Sequence, residues 1–110
     1  MIYDTIIIGG GPAGYFAAIY CAYNGLSVAI LEKLGPGGQI NTSHDLDEFP
    51  GIDLVAGPNL SDRLLMLSNR FGAKTFIAEA LRLEINGNLK KVHTDIGVFS
   101  GRSVVIAAGT

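Results

Sequence analysis

A run of three glycines between an apolar strand and an apolar helix constrains this chain more than any other feature. Ile2, Tyr3, Ile6, Ile7 and Ile8 form an apolar stretch that enters Gly9-Gly10-Gly11-Pro12-Ala13-Gly14. A helix-patterned segment then reaches Asn24-Gly25, and a second apolar run, Val28 to Leu31, ends on Glu32. Strand, glycine turn, helix and strand in that order make a βαβ unit with G-x-G-x-x-G at its first turn. Gly9 permits the tight turn out of the strand, and Gly11 has no Cβ to hold a pyrophosphate away from the backbone. Gly14 lets the helix lie close on the sheet, so that its free N–H groups and positive dipole end face the phosphates. Glu32 follows Gly14 by eighteen positions, where an acid can take both hydroxyls of an adenosine ribose. The bland alternative is a βαβ unit whose glycines only make a turn. The preceding strand, the following helix and the placed acid argue against it, although Glu32 alone does not separate NAD from FAD.

One hundred and ten residues suffice for one domain with a modest core, and 48% hydrophobic content indicates a packed chain. A net charge of −2 and a pI near 5.5 offer no basic field for nucleic acid. The longest apolar runs are strand-length, too short to span a membrane. The first strand begins within two residues of Met1, leaving no room for a secretory signal, so the cytoplasm is the expected compartment. The single cysteine, Cys21, permits no disulfide framework and no C-x-x-C pair, and reads as a small core residue. No metal-ligand constellation is read in the chain.

Along the chain, a helix is expected from about Pro12 to Tyr23, with proline at its start and Gly25 as its stop. Ala13, Phe16, Ala17 and Tyr20 recur at three- and four-residue steps and predict the face pressed onto the sheet. Residues 33–57 form a long irregular stretch, in which Gly37-Gly38 bring bare amides toward the first turn. A second helix is expected from Pro58-Asn59, with Leu60, Leu64, Leu67 and Phe71 as its apolar stripe and Gly72 as its end. Ala73 to Ile77 is a short β-like run. Leu81, Leu83 and Ile85 alternate with Arg82 and Glu84 as a half-exposed strand, and Asn86-Gly87 signals a hairpin. Lys90 to Asp95 returns, Ile96-Gly97 turns, and Val98-Phe99 continues, giving an antiparallel meander whose solvated face carries Lys90, Lys91, His93 and Asp95. Ser103 to Ala108 is a continuous apolar run, as in a central parallel strand, and leads into Gly109-Thr110. Such an ending reads as the front part of a longer protein, one that standing alone would expose an apolar patch and self-associate.

These residues resemble the FAD-binding segment of the bacterial-type, low-molecular-weight thioredoxin reductases over essentially all 110 positions. The motifs that carry the resemblance are Ile8-Gly9-Gly10-Gly11-Pro12-Ala13-Gly14-Tyr15 with Leu31-Glu32-Lys33; Gly37-Gly38-Gln39-Ile40 with Phe49-Pro50-Gly51; and Val105-Ile106-Ala107-Ala108-Gly109. The resemblance implies an α/β fold: a Rossmann-like FAD-binding domain with a mostly parallel sheet and a small antiparallel β-meander. It implies that 1–110 is the N-terminal part of that domain, with the NADPH domain and a C-terminal FAD segment outside it. Carried over by position, Gly9, Gly11, Pro12, Ala13 and Gly14 hold the FAD pyrophosphate, and Glu32, followed by Lys33, the adenosine ribose. Gly38 and Gln39 lie along the pyrophosphate and ribityl chain, and Ala80 offers its backbone to adenine. Ala107, Ala108 and Gly109 pass behind the cofactor.

Three departures from the family pattern stand out. His44 replaces a usual threonine and Glu48 a usual asparagine, both beside the flavin ring, and the closing Ala-Thr-Gly is Ala107-Ala108-Gly109 here. A carboxylate at position 48 disfavours an anionic reduced flavin unless protonated or turned away, and a protonated His44 offsets it. The resemblance places the catalytic disulfide and the NADPH site outside these residues, so no catalytic residue is assigned in this chain. The parent would pass electrons from NADPH through FAD to a disulfide of a thioredoxin-like protein, as a cytoplasmic homodimer without nucleic-acid or membrane partners. A related ferredoxin–NADP reductase without a disulfide, or a fragment with a purely nucleotide-binding or structural role, are the alternatives.

Overall fold

The computed structural model describes residues 1–33 and 57–108, together with all side chains in those ranges except those of residues 57–59 and 61. The chain order is β1 (Ile2–Ile8), α1 (Pro12–Tyr23), β2 (Val28–Leu31), α2 (Gly57–Arg70), β3 (Lys74–Phe76), β4 (Ala80–Asn86), β5 (Leu89–Thr94) and β6 (Gly97–Ile106). They build one sheet in the order β3-β2-β1-β6-β5-β4. The β3-β2-β1-β6 half is parallel and the β6-β5-β4 half antiparallel. A Rossmann-like parallel sheet extended by an antiparallel meander is thus what forms.

Isoleucine- and valine-rich β1 and β2 sit inside the parallel half, where both sheet faces must be apolar. On one face, Ile7, Val28 and Ile30 pack against Tyr15, Ala18 and Ala22 of α1 and Leu60 and Leu64 of α2. On the other, Ile6, Ala29 and Leu31 meet Val92 of β5, with Phe76 of β3 and Phe99 of β6 against them. β3 and β6 are three strand positions apart, roughly 14 Å in a flat sheet. Yet the Phe76 and Phe99 rings lie 4.9 Å apart, so the sheet curls to bring the meander over the parallel half. Gly101 makes this possible: it pairs with Tyr3 on one side and Lys90 on the other, and a Cβ there would stand 2.9 Å from Ile6.

Several faces differ from expectation. The buried row of α1 is Gly14, Ala18 and Ala22 with Tyr15, one step round from the expected Ala13, Phe16, Ala17 and Tyr20; Tyr20 is 72% exposed. Rows at i, i+4 and i+8 of very small residues let the helix approach the sheet more closely than Phe16 would allow. In α2 the stripe runs Leu60, Leu64, Ser68, while Leu67 and Phe71 lie toward solvent and Phe71 meets Tyr23 edge-on at 5.5 Å. Ser68 is tolerated inside because its hydroxyl donates to the Leu65 carbonyl at 2.8 Å. The β4–β5 hairpin turns through Gly87-Asn88, not Asn86-Gly87, since Asn86 pairs with Leu89. Gly87 has φ +60 and, among the described residues, no non-glycine residue has positive φ, so glycine takes the first central position of a two-residue turn. Likewise Thr94 pairs with Gly97, so the next turn is Asp95-Ile96. Leu81, Leu83 and Ile85 are all exposed, not half-covered as expected, because β4 is the sheet's edge and the core cluster beneath ends at Val92. Cys21 is half-buried against the helix-side core.

Candidate functional site

The C-terminal ends of β1, β2 and β6 meet at the glycine turn. Gly9 leaves β1 at φ +118, a region that side-chain-bearing residues rarely adopt, and its N–H donates to the Leu31 carbonyl at 2.8 Å. A Cβ on Gly9 would fall 2.1 Å from the Ala107 carbonyl oxygen. Ala107 in turn donates its N–H to the Ile8 carbonyl at 2.8 Å, which ties the end of β6 to the turn. Gly11 caps α1 with extended backbone and no side-chain cap bond, Pro12 opens the helix, and no acid stands in its first turn. A helix start without a capping side chain leaves backbone donors and the positive dipole end for an anion. Gly14 lies so close to the turn that a Cβ there would fall 2.0 Å from the Gly9 carbonyl oxygen. The tight turn expected at Gly9 and the close helix approach expected at Gly14 are therefore visible as packing.

Glu32 is buried, 8% exposed, and its Oε1 accepts the Gly10 N–H at 2.7 Å. Its own backbone is held on both sides: the N–H donates to the Phe76 carbonyl at 3.0 Å, and its carbonyl accepts the Ala78 N–H at 3.2 Å. That pair draws residues 78–80 to the end of β2. Ala80 begins β4 there, and exposed Lys33 reaches Glu79 at 4.0 Å, a solvated ion pair of little energetic weight. Ala13 and Ala108 are exposed beside the turn, and Ala107 is half-buried. The structure therefore gathers Gly9, Gly11, Pro12, Ala13, Gly14, Glu32, Lys33, Ala107 and Ala108 where β1, β2 and β6 end, while Ala80 stands two residues past the Ala78–Glu32 bond and pairs with Thr94 of β5. Gly38, Gln39, His44, Glu48 and Gly109 lie outside the described residues, as do the Gly37-Gly38 and Phe49-Pro50-Gly51 motifs.

Two contributors escaped the sequence reading. Gly10 occupies a position the motif leaves open, yet Glu32 fills the space its Cβ would take. Tyr15 is fully buried, and its hydroxyl pairs with Thr75 of β3 at 2.9 Å. Burial raises the Tyr15 pKa above 10.0, the Thr75 hydrogen bond opposes that shift, and the Glu32 carboxylate adds to it, so the phenol stays neutral beneath the acid. The third consecutive glycine was the available signal for Gly10; nothing in the sequence pairs Tyr15 with Thr75.

A glycine turn in which the Cβ positions of Gly9 and Gly14 are occupied by neighbouring backbone, an uncapped helix start and a buried acid one strand over suit the ADP half of FAD. A family model for the FAD binding domain matches residues 4–62, more than half of the chain. The chain belongs to the FAD-binding domain family. FAD is therefore its cofactor. This FAD-binding chain is 36% identical over 108 residues to a thioredoxin reductase of Bacillus subtilis and 35% identical to one of Listeria monocytogenes. Each alignment covers 98% of this chain and 34% of the relative. In solved structures, the thioredoxin reductase of Streptococcus pyogenes superposes with a TM-score of 0.91 at 39% identity, covering 98% of this chain and 35% of that one. That of T. acidophilum superposes with a TM-score of 0.88 at 28% identity, covering 98% and 36%. The FAD-binding chain thus spans about a third of the length of the relatives it matches. Among the described residues, no helix is long and apolar enough to cross a membrane.

Proposed function

We propose that this chain holds FAD for a thioredoxin-reductase-like enzyme that draws electrons from NADPH and delivers them to a disulfide of a thioredoxin-like protein. The supporting observation is the convergence of the glycine turn and Glu32 at the ends of β1 and β2 in a chain 36% identical to a thioredoxin reductase. In this reading Gly9, Gly11, Pro12, Ala13 and Gly14 bind the pyrophosphate and Glu32 the adenosine ribose. Lys33 and Ala80 flank the adenosine, and Ala107, Ala108 and Gly109 back the cofactor. Gly38 and Gln39 follow the pyrophosphate and ribityl chain, with His44 and Glu48 beside the flavin. FAD, when bound, supplies the two-electron chemistry. The residues of this chain bind and orient it; the NADPH site and the disulfide belong to the remaining two-thirds found in the relatives. A cytoplasmic homodimer is the expected setting, and residues 1–110 act as one FAD-binding domain.

The test is an absorption spectrum of the purified chain after mixing with FAD and gel filtration. Flavin bands that co-elute with wild type and are lost in Glu32→Ala support the reading. A chain that elutes colourless after excess FAD refutes it as a self-sufficient FAD holder. Activity is then measured on a protein that adds the remaining two-thirds: NADPH-driven reduction of a thioredoxin disulfide is expected, and flavin reduction without it refutes the disulfide-reductase assignment.

A further inference from the structure

We propose that His93 is a proton-operated selector in the meander: neutral, it is bound by Arg82; charged, it turns to Glu84 and releases Arg82 from the edge strand. His93 Nε2 lies 2.9 Å from Glu84 Oε1 and 3.2 Å from Arg82 Nη2. These contacts demand opposite things of one ring nitrogen. A carboxylate only accepts, so Glu84 needs a proton on Nε2, whereas a guanidinium only donates, so Arg82 needs a lone pair there. A neutral ring can meet either demand by its tautomer; a charged ring meets only that of Glu84 and repels Arg82. The frame around the ring is set by the ladder. β4 pairs Arg82 with His93 and Glu84 with Lys91, which puts these four side chains on the face opposite Val92. On β6 the partners of His93 and Lys91 are the uncharged Val98 and Ser100. Asn86 donates to the second Glu84 oxygen at 2.9 Å, so the carboxylate has a fixed place. The hydrogen bonds from His93 and then Asn86 lower the Glu84 pKa, which keeps the acid ionised where histidine titrates. Arg82 Nη1 also stands 3.9 Å from Glu84 Oε1, so the guanidinium can serve the ring and the acid together only while Nε2 is bare. Arg82 thus selects the Nδ1–H tautomer of the neutral ring. Its rung is the first after the irregularity between Ala80 and Arg82, so its release frees β4 where the ladder is already interrupted.

The experiment follows the two ring nitrogens of His93 by NMR through the histidine titration range, with His93→Gln assigning its signals against those of His44. Wild type is compared with Arg82→Met, Glu84→Gln and Lys91→Met, all on the solvated face of the meander. In wild type the neutral ring is expected to carry its proton on Nδ1, and the Arg82 and Leu83 amides to shift with the same midpoint as the ring. Arg82→Met should move the neutral proton to Nε2, where it is donated to Glu84, and raise the midpoint by about 0.5 pH unit, a threefold gain in proton affinity. Glu84→Gln should lower the midpoint by a similar amount. Lys91→Met removes a positive charge without touching the ring, so it should raise the midpoint and leave the tautomer as in wild type. A wild-type neutral ring protonated on Nε2, or a tautomer that ignores Arg82→Met, overturns the proposal, because Glu84 then holds His93 at every pH. Midpoints that fail to move in opposite directions in the Arg82 and Glu84 variants overturn it as well. A tautomer that changes equally in Lys91→Met does the same, by making the effect one of net charge and not of a bond to Arg82. FAD plays no part in these readouts, so their outcome is independent of the reading proposed above.

Discussion

Gly14→Ala sets two effects of opposite sign against each other. Gly14 lies in the first turns of α1, where alanine is favoured over glycine by about 1 kcal/mol in a helix interior. The added methyl, however, would stand 2.0 Å from the Gly9 carbonyl oxygen and 3.1 Å from its carbon. That oxygen cannot yield, since Gly9 is held by the Leu31 carbonyl on one side and closed in by Ala107 on the other. An ordinary contact needs about 3.5 Å, so the helix must lift by more than 1 Å. The lift loosens Tyr15, Ala18 and Ala22 from Ile7, Val28 and Ile30. Overpacking of this kind costs about 1–3 kcal/mol, and the rigid backbone partner puts it at the upper end. The balance is a net destabilisation of about 2 kcal/mol, or roughly 10 °C in Tm for a domain of this size. Urea unfolding followed by far-UV circular dichroism measures it, with an unchanged m-value required. Gly25→Ala is the control, because Gly25 has φ +86 and nothing within 4 Å of its Cβ position, so its cost is conformational only. If Gly14→Ala is as stable as wild type, or more so, helix propensity has won and the close approach of α1 to the turn is refuted.

Two further outcomes follow from the core. Leu64→Ala empties a fully buried site shared by both helices and the sheet, and should cost about 2–5 kcal/mol by the same urea assay; a cost below 1 kcal/mol would show that α2 does not pack there. Tyr15→Phe should cost about 1 kcal/mol at neutral pH through the lost Thr75 bond. Because burial raises the folded-state pKa of Tyr15, its contribution is fully present below pH 10.0 and is lost as pH rises through the folded value. Urea midpoints of the two proteins should therefore converge in that alkaline window, and a gap that stays constant there refutes the buried phenol.

What the sequence shows and what it hides divides along physical lines. Val28–Leu31 and Pro12–Tyr23 are recovered at their expected bounds because periodicity, the opening proline and the closing Gly25 are local signals. The face of α1 is hidden because Ala13-Phe16-Ala17-Tyr20 and Gly14-Ala18-Ala22 both follow helical spacing in a helix with no charged residue to mark the wet side. Closeness to a sheet selects the smaller residues, and that is a tertiary criterion. Ser68 in the α2 stripe is hidden for the same reason, as its polarity is cancelled by a backbone bond that only the folded helix supplies. The curl of the sheet depends on Gly101 meeting Ile6 across nearly the whole chain, and no local pattern encodes that.

The glycine turn combines both kinds of information, which is why the motif was legible and its mechanics were only half so. Each of three glycines yields its Cβ space to a different element: Gly9 to the end of β6 at Ala107, Gly10 to the end of β2 at Glu32, and Gly14 to the turn itself at the Gly9 carbonyl. Four elements, β1, α1, β2 and β6, therefore close on one another, through backbone at Gly9 and Gly14 and through the Glu32 side chain at Gly10. The crowding exists without any ligand, so the fold itself holds the turn in shape. On the reading proposed above, a cofactor entering such a site would find its phosphate and ribose partners already ordered, with little of the binding energy spent on arranging them. Glycine here thus serves folding first, and the nucleotide site is the shape left where the packing meets.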